Sequence, residues 1–479
     1  MPNPRMTELL ASASRKGRVA LLWLLAGCSS DAPRRSAVQH PNTPAVPRAV
    51  ASDAKPNVVI ILADDLGYAD LGVQGSTDIP TPNIDRIAHE GARFTSAYSV
   101  SPLCSPSRAG LLTGRYPERW GHEFNPGPEN QSRDFGIPAN VPTLAELLRN
   151  EGYATGLFGK WHLGYSEEHM PLARGFDEFF GFVGATHPYR PKLIQFKGAL
   201  MRANGRAREH TYLTDAITRE SVDFIRRHQA SPFFLFVPYS AVHAPLEPDP
   251  KRLQRLAAIA DPDRRAYAAT LVAMDDGVGQ ILEALSAQSV ADRTIVLFMN
   301  DNGGATMSVK SSNGPLSGLK GLVNEGGVRV PMLMRWPKHV APSSVIDAPV
   351  TSLDVVPTVL AAVGAKPAAS SDGVSMAPLW ECPCETPIAR RFFWRLGDMS
   401  ATRDGDWKLV QYAGEPVRLY DLLHDVGEHV NVAAQHADVV SRLQREYEGW
   451  ARQMVAPRWG EAEHIVRPPD ETGAPVVKH

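Results

Sequence analysis

The chain has 479 residues, enough to bury a large core, and this length predicts two domains, one large and one small. Its 50 Lys and Arg residues nearly balance its 52 Asp and Glu residues, and no long basic run occurs, which argues against nucleic acid as a partner. Four cysteines are too few for a disulfide scaffold, while 40 prolines and 38 glycines predict many loops.

The N-terminal segment has the pattern of a targeting peptide. A basic patch from Arg15 to Arg18 precedes a short apolar run from Val19 to Leu25, which is too short to span a membrane. The run ends in Leu-Ala-Gly-Cys, which resembles a bacterial lipoprotein signal and implies cleavage before Cys28 and lipidation of its sulfur. We therefore predict that residues 1–28 are a lipoprotein-type signal peptide. An ordinary signal peptide with an incidental Cys28 is the alternative.

Residues 29–55 have the composition of a disordered tether. They are rich in Ala, Pro, Ser and Arg and lack apolar periodicity. The signal and the tether together predict an exported protein of the bacterial envelope, facing the periplasm or the cell surface. The membrane is its expected partner through a lipid anchor at Cys28.

Three apolar runs have the length and continuity of buried parallel strands. They span residues 57–65, 232–245 and 294–304. Helical patterns lie between them, for example at 143–152 and 268–285. Because strand and helix alternate, the main body is predicted to be an α/β fold with a largely parallel sheet.

Polar residues follow each of these three strands. Asp64 and Asp65 end the first, His243 follows the second, and Asp301 and Asn302 end the third. Ligands bind beyond the carboxyl ends of strands in such sheets, so these side chains are expected to converge. Their carboxylates would repel one another unless a cation held them, and all-oxygen ligands select Ca²⁺ or Mg²⁺ rather than Zn²⁺. For the first motif alone, a capped turn is the alternative.

The stretch LCSPSRAGLLTGR places a cysteine beside a predicted helix start. Ser105 and Pro106 suit the N-cap and the first helical position, and Gly114 suits the end of the helix. Cys104 is then expected just outside the N-terminus, where free N–H groups and the helix dipole favour anions. Arg108 adds a fixed positive charge. The stretch predicts a reactive side chain held against an anionic group.

The same stretch carries a long and specific motif. Cys104, Pro106, Ser107 and Arg108, followed by Leu-Thr-Gly-Arg at 112–115, match the signature of the sulfatases that use a formylglycine nucleophile, within the alkaline phosphatase superfamily. Further matches occur in the family's order from about residue 56 to the C-terminus: DDLGYADLG from 64, GKWHLG at 159–164, GFDEFFGF at 175–182, VHAP at 242–245, NDNGG at 300–304 and EGGVRVP at 325–331. The chain therefore resembles this family.

The resemblance implies a large α/β domain, with a mixed, mostly parallel sheet between helices, and a smaller C-terminal α+β domain of antiparallel strands and one helix. The end of the chain agrees with it, because 400–425 has the pattern of short strands joined by turns and 439–454 carries apolar residues at helical spacing. We place the catalytic domain at 56–367 and the C-terminal domain at 368–479.

The resemblance also implies a modified nucleophile and a metal ion. Cys104 would be oxidised after synthesis to formylglycine by a formylglycine-generating enzyme, and the hydrated aldehyde would attack the sulfur of a sulfate ester. The matching metal ligands are Asp64, Asp65, Asp301 and Asn302, completed by the modified Cys104. The family implies Ca²⁺, although oxygen ligands alone also fit Mg²⁺.

Six side chains match the family's catalytic groups. Arg108 would hold the hydrated aldehyde, and Lys160 and Lys320 would bind sulfate oxygens and offset charge in the transition state. His243, with Lys320, would protonate the leaving alcohol. Asp301 would help to deprotonate the hydroxyl of the hydrated aldehyde that attacks sulfur, and His162 would take a proton from its second hydroxyl. Taken singly, each of these residues also suits an ordinary structural role.

The substrate is predicted from loop residues. His122, His187 and Arg190 suit hydrogen bonds and charge around a sugar ring, and GHEFNPG resembles bacterial sulfatases that act on polysaccharides. We therefore predict a sulfated carbohydrate. The alternatives are a phosphonate or phosphate ester hydrolase of the same superfamily, or a glycan-binding protein on an inactive sulfatase scaffold. The second would be marked by loss of Cys104, Asp301 or Lys320, and all three are present.

Two further cysteines, Cys382 and Cys384, lie in Glu-Cys-Pro-Cys-Glu. A tight disulfide and two free thiols are both compatible with this spacing. A metal site is not expected, because no second Cys or His pair with suitable spacing lies nearby. We interpret the pair as structural or neutral.

Overall fold

The structure of the protein is a computed structural model that describes residues 55–126, 135–191, 199–368, 370–381 and 389–460, together with the backbone of two short strands near the C-terminus. The predicted signal peptide with Cys28, the tether up to residue 54, and the pair Cys382 and Cys384 lie outside the described residues. In the part of the chain that is described, no helix is long and apolar enough to cross a membrane.

Strands and helices alternate through most of the chain. The strands are β1 (Asn57–Ala63), β2 (Ala92–Phe94), β3 (Ala97–Tyr98), β4 (Ala154–Lys160), β5 (Glu178–Phe182), β6 (Met201–Arg202), β7 (Gly205–Arg206), β8 (Phe233–Pro238), β9 (Thr294–Asn300), β10 (Met332–Arg335), β11 (Ser344–Ile346), β12 (Val350–Thr351), β13 (Arg391–Leu396), β14 (Met399–Asp404), β15 (Trp407–Tyr412), β16 (Arg418–Asp421), β17 (Val466–Arg467) and β18 (Val476–Val477). The helices are α1 (Pro82–His89), α2 (Cys104–Thr113), α3 (Leu144–Asn150), α4 (Leu213–His228), α5 (Pro250–Arg255), α6 (Pro262–Ala287), α7 (Glu325–Val328), α8 (Val355–Ala362), α9 (Pro378–Glu381) and α10 (Ala437–Ala451).

The main sheet has ten strands in the order β11-β2-β10-β9-β1-β8-β4-β5-β6-β7. The five central strands, from β9 to β5, are parallel to one another. Antiparallel pairs flank them, since β10 pairs with β9 on one side and β6 pairs with β5 on the other. The predicted mixed, mostly parallel sheet is confirmed.

Helices cover both faces of this sheet. In β1, Val58 and Ile60 pack with residues of α2, α3 and α8, whereas Val59 and Ile61 pack with residues of α1, α4 and α6. Successive side chains of a strand point to opposite faces, so each central strand must be apolar throughout. This explains why the three predicted strands are continuous apolar runs without alternation.

A smaller sheet of four antiparallel strands, in the order β13-β14-β15-β16, follows the main sheet in the chain. Helix α10 covers one face, where Leu443 packs with Leu409. The other face packs against residues of the larger sheet region, including a contact of 5.4 Å between the ring centroids of Trp394 and Tyr98. The predicted antiparallel sheet and helix are confirmed, and the domain boundary at 367/368 stays a prediction.

Two glycines allow β4, β5 and β8 to approach closely beside Lys160. Gly159 has a φ of 138°, and a Cβ added there would lie 2.0 Å from the carbonyl oxygen of Pro238. A Cβ added at Gly181 would lie 1.8 Å from the carbonyl oxygen of Gly159. Both positions require glycine, because any side chain would force neighbouring strands of the ladder apart.

Gly181→Ala is expected to lower the free energy of unfolding by about 3 kcal/mol, because the added methyl group overlaps a backbone atom in the buried sheet. Urea unfolding would measure the change. Gly205→Ala is the matched control, since the nearest atom to a Cβ there is the Arg202 carbonyl oxygen at 3.7 Å. Equal urea midpoints of unfolding for the two variants would contradict the close approach of β4 and β5.

Candidate active site

The polar residues after β1 and β9 meet at one edge of the main sheet. Ala63 lies opposite Asn300 in the parallel ladder, so both strands end at the same level. The backbone N–H of Asp65 donates to Asp301 Oδ1 at 3.3 Å, and Asn302 Nδ2 donates to Asp65 Oδ1 at 2.8 Å. The expected convergence of Asp64, Asp65, Asp301 and Asn302 is therefore present in the structure, and none of the four is more than 2% exposed.

This cluster has the properties of a site for a divalent cation. Burial and then the neighbouring charge of Asp64 raise the pKa of Asp301 to about 7, although Arg108 acts in the opposite direction. Asn302 Oδ1 is buried and accepts no hydrogen bond from any described residue. An unpaired buried oxygen is costly, and carboxylate and amide oxygens together suit a hard ion. The donor set therefore fits Ca²⁺ or Mg²⁺.

Two lysine ammonium groups lie against these carboxylates. Lys160 Nζ is 2.6 Å from Asp64 Oδ2, and Lys320 Nζ is 2.7 Å from Asp65 Oδ2. Burial by itself raises the pKa of Asp64, but Lys160, which lies at the end of β4, is foremost in holding that pKa well below its usual range. The ion pairs thus keep Asp64 and Asp65 charged although both side chains are buried.

Arg108 joins helix α2 to the sheet edge. Its guanidinium donates from Nη2 to Asp301 Oδ2 at 2.9 Å and from Nη1 to the carbonyl oxygen of Lys160 at 3.0 Å. The side chain is completely buried. A buried guanidinium with several fixed acceptors is held in one orientation, so Arg108 sets the position of α2 relative to β4 and β9.

Cys104 is the first residue of α2, which corrects the predicted helix start. Leu103 occupies the N-cap position, and Ser105 does not cap the helix because its hydroxyl donates to the carbonyl oxygen of His162 at 2.7 Å. The free thiol lies inside the first turn, with Sγ 3.5 Å from Asp64 Oδ1. Gly114, with a φ of 66°, ends the helix as predicted.

The unmodified thiol of Cys104 is a poor nucleophile in this environment. Burial raises its pKa well above the ordinary value, although Lys160 and Lys320 oppose the shift. At neutral pH the sulfur therefore carries its proton, and the thiolate is the reactive form of cysteine.

His162 follows β4 and faces the cluster as a neutral imidazole. Neither of its ring nitrogens has a hydrogen-bond partner among the described residues, and both are buried. Burial, and then the positive charge of Lys160, lowers its pKa well below the usual value. An unpaired nitrogen in this state can accept a proton from a group that binds beside it.

His243 follows β8 and reaches the same edge from the neighbouring strand. Its Nε2 lies 3.5 Å from Asp65 Oδ2, while Nδ1 donates to the carbonyl oxygen of Ala244 at 2.5 Å. The contact of Nδ1 fixes the ring orientation and leaves Nε2 facing the cluster. One ligand atom of each of four residues lies within 4.8 Å of every other: Asp64, Asp65, Cys104 and His243.

The predicted role of His122 in substrate binding requires an accessible side chain. The structure instead places His122 in the interior. Its side chain has no exposed surface and packs against Phe135 and Trp459, with ring centroids 5.3 and 4.8 Å away. Its Nε2 lies 2.8 Å from Ser105 Oγ and donates to it, because the single hydroxyl proton of Ser105 is used on His162. His122 therefore supports the first turn of α2 from behind.

His187 and Arg190 border a cavity of about 440 Å³. Tyr189 lies between them in the chain and also lines it, and its hydroxyl oxygen is 2.7 Å from the carbonyl oxygen of Ser240 and 2.9 Å from that of His243. The cavity is therefore adjacent to the segment that carries His243, as the predicted substrate-binding role of His187 and Arg190 requires.

Sequence reasoning missed the residues that hold the loop of Lys320. Glu428 Oε2 accepts hydrogen bonds from Ser317 Oγ at 2.7 Å and from the backbone N–H of Glu325 at 2.8 Å, on either side of Lys320. Lys408 of β15 is completely buried and pairs with Glu325 at 2.8 Å and with Glu428 at 3.1 Å. The small sheet thus fixes the loop that presents Lys320.

Comparison with known proteins agrees with this geometry. A family model described as Sulfatase matches residues 56–365, and one described as N-sulphoglucosamine sulphohydrolase, C-terminal, matches residues 319–453. N-acetylgalactosamine-6-sulfatase of Mus musculus is 36% identical over 386 residues, which cover 75% of this chain and 72% of that protein. Arylsulfatase A of Bos taurus is 33% identical over 446 residues, which cover 81% of this chain and 86% of that protein.

A solved structure of the protein Ps i-CgsB has a TM-score of 0.81 and 36% sequence identity, over 85% of this chain and 94% of its own. The same protein is also solved in complex with k-i-k-neocarrahexaose. The chain belongs to the sulfatase family, within the alkaline phosphatase superfamily. It is therefore a sulfuric ester hydrolase, and the resemblance inferred from the sequence is confirmed.

Glu428→Ala is expected to lower kcat/KM for an aryl sulfate at least tenfold, because the loop of Lys320 loses two hydrogen bonds and Lys408 loses one of its two buried partners. Glu428→Gln keeps an acceptor oxygen and should retain more activity. Steady-state kinetics and thermal unfolding would be measured together. Glu415→Ala is the control, because Glu415 is likewise a carboxylate that pairs with a cation of the small sheet, Arg418. If Glu415→Ala lost as much activity as Glu428→Ala, the role assigned to Glu428 would be contradicted.

Proposed function

We propose that this sulfatase removes sulfate esters from carbohydrates, using formylglycine made from Cys104 and a calcium ion held by the carboxylate cluster. The observation that carries the proposal is the position of Cys104. It lies in the first turn of α2, 3.5 Å from Asp64, in a cluster that also presents Lys160 and His243. Each of these residues belongs to a motif that matches the family.

Asp64, Asp65, Asp301 and Asn302 would hold the metal ion. The unpaired oxygen of Asn302 and the raised pKa of Asp301 both favour a bound cation at this place. Ca²⁺ follows from the family, and the oxygen donors are equally compatible with Mg²⁺. When bound, the ion supplies positive charge that polarises the oxygen atoms of the ester.

The raised pKa of Cys104 argues against the unmodified thiol as the nucleophile, which is why we propose its conversion by a formylglycine-generating enzyme. A buried, protonated thiol has little nucleophilicity, so an unmodified chain would lack an effective attacking group. Once converted and hydrated, position 104 would provide one hydroxyl for attack on sulfur and a second for release of sulfate. Arg108, anchored on Asp301, is placed to offset negative charge at this position.

The remaining groups divide between sulfate and the leaving alcohol. Lys160 and Lys320 would bind sulfate oxygens, since both ammonium groups already lie at the edge of the cluster and carry three donors each. His243, whose Nε2 faces the cluster, would give a proton to the departing alcohol. His162 has unpaired ring nitrogens and would accept the proton that must leave when sulfate is released.

A carbohydrate substrate is supported by two observations. The curated relatives include N-acetylgalactosamine-6-sulfatase, and a neighbour of 36% identity is solved in complex with k-i-k-neocarrahexaose. The cavity of about 440 Å³ is lined in part by Tyr189, whose hydroxyl donates to the backbone carbonyl of His243, the residue assigned to the leaving alcohol. We expect a sugar chain attached to that alcohol to extend towards this cavity.

The tryptic peptide that ends at Arg108 is expected to have a mass lowered by the exchange of SH₂ for O, when the protein is made in a host that matures sulfatases. Mass spectrometry would measure this. Cys104→Ala should abolish sulfate release and leave the thermal unfolding midpoint almost unchanged. Full sulfatase activity in protein whose Cys104 remains an unmodified thiol would contradict the proposal, as would faster turnover of a phosphonate ester than of the matched aryl sulfate.

His243→Ala should reduce turnover of a sulfated sugar more than that of 4-nitrophenyl sulfate, about tenfold more, because a sugar alcohol needs protonation and a nitrophenolate does not. Single-turnover kinetics on both substrates would provide the ratio. His162→Ala is the matched comparison and should slow steady-state turnover of both substrates alike, since its role follows departure of the alcohol. An equal loss on both substrates for His243→Ala would exclude its role as the acid.

A further inference from the structure

We infer that the cavity beside His243 binds a second anionic group of the carbohydrate, so that the enzyme prefers sugar chains that carry another sulfate or a carboxylate near the ester that is cleaved. This inference rests on the proposed function. It adds a specificity determinant outside the catalytic cluster, formed by Arg190, Arg206 and Arg208.

Basic side chains outnumber acidic ones in the described lining of the cavity. Three arginines line it, Arg190, Arg206 and Arg208, and Glu209 is the acidic residue among its described lining. Arg190 is held in place because its Nη2 donates to the carbonyl oxygen of Pro248 at 2.9 Å. Guanidinium groups bind sulfate and carboxylate oxygens through paired N–H donors, so this wall suits an anion.

Among the described residues, Glu209 makes no ion pair with Arg190 or Arg208. Its Oε2 lies 2.7 Å from Arg219, outside the cavity wall, and its Oε1 accepts hydrogen bonds from the backbone N–H groups of His210 and Thr211 at 2.8 and 2.9 Å. The carboxylate is therefore used in shaping the loop. Arg208 makes no ion pair with any residue that the structure describes, and its side chain is exposed.

The position of the cavity assigns the anion to the leaving-group side of the substrate. Tyr189 lines the cavity, and its hydroxyl oxygen lies 2.9 Å from the carbonyl oxygen of His243. On another part of the wall, His187 stacks on Phe182, with ring centroids 5.5 Å apart, and Phe182 pairs with Lys160 in the sheet. The cavity thus adjoins the segments of both the proton donor and a sulfate-binding lysine.

Because the arginine side chains are exposed, salt should screen their interaction with an anion. We expect a preference of about tenfold at low ionic strength, which falls as salt is added. The preference should concern binding of the sugar chain rather than the chemical step, since none of the three arginines contacts the cluster of Asp64, Cys104 and His243.

The test measures binding by calorimetry with the Cys104→Ala protein, so that no ligand is consumed. Three disaccharides with one sugar backbone and one common sulfate are compared, in which the second unit is neutral, sulfated or a uronic acid. At least one of the two anionic disaccharides should bind about tenfold more tightly than the neutral one. The difference in affinity between the sulfated and the uronic acid disaccharide identifies the preferred anion. Arg208→Ala should reduce this ratio towards one.

Arg226→Ala is the control for overall charge, because Arg226 pairs with Asp223 on α4 and does not line the cavity; it should leave the ratio unchanged. Equal binding of all three disaccharides, or an unchanged ratio in the combined Arg206→Ala and Arg208→Ala protein, would overturn the inference. The proposed function is tested separately by sulfate release from the singly sulfated disaccharide by matured protein. Failure of that reaction would leave the binding ratios measurable.

Discussion

Burial of charge at one edge of the main sheet is the constraint on which the site depends. Asp64, Asp301, Arg108 and Lys160 have no exposed surface. Moving any one of them alone out of water would cost several kcal/mol, so each requires the others in place. The strand ends supply the carboxylates, and α2 and β4 bring the cations to them. The site is therefore assembled as a unit, and its geometry is set by the parallel pairing of β1 with its two neighbours.

Local rather than overall charge explains how this protein can bind an anionic ester. The formal net charge is −2, so the chain as a whole does not attract anions. At the sheet edge, Lys160 and Lys320 lie within 3 Å of carboxylates that a metal ion would also contact. A cation in the cluster would share the negative charge of Asp64 and Asp65, which would leave the two ammonium groups available to sulfate oxygens.

The small C-terminal sheet contributes to this site although it provides none of the catalytic groups. It is tied to the larger part of the chain through Lys408 and Glu428, whose side chains are completely buried. Their partners lie on both sides of Lys320, so the loop cannot shift without breaking buried ion pairs. His122 has a comparable role at the other side of the site, where it holds Ser105 in the first turn of α2.

The sequence by itself determined the central strands, the convergence of the strand-end carboxylates and the family, because continuous apolar runs, acidic strand ends and family motifs all depend on local order along the chain. It did not reveal Lys408, since a lysine in a strand is ordinarily exposed, and its burial depends on two carboxylates outside that strand, those of Glu325 and Glu428. The start of α2 and the burial of His122 were also decided by the tertiary structure. In both cases Ser105 was bonded to residues distant in the chain, and such contacts leave no periodic pattern in the sequence.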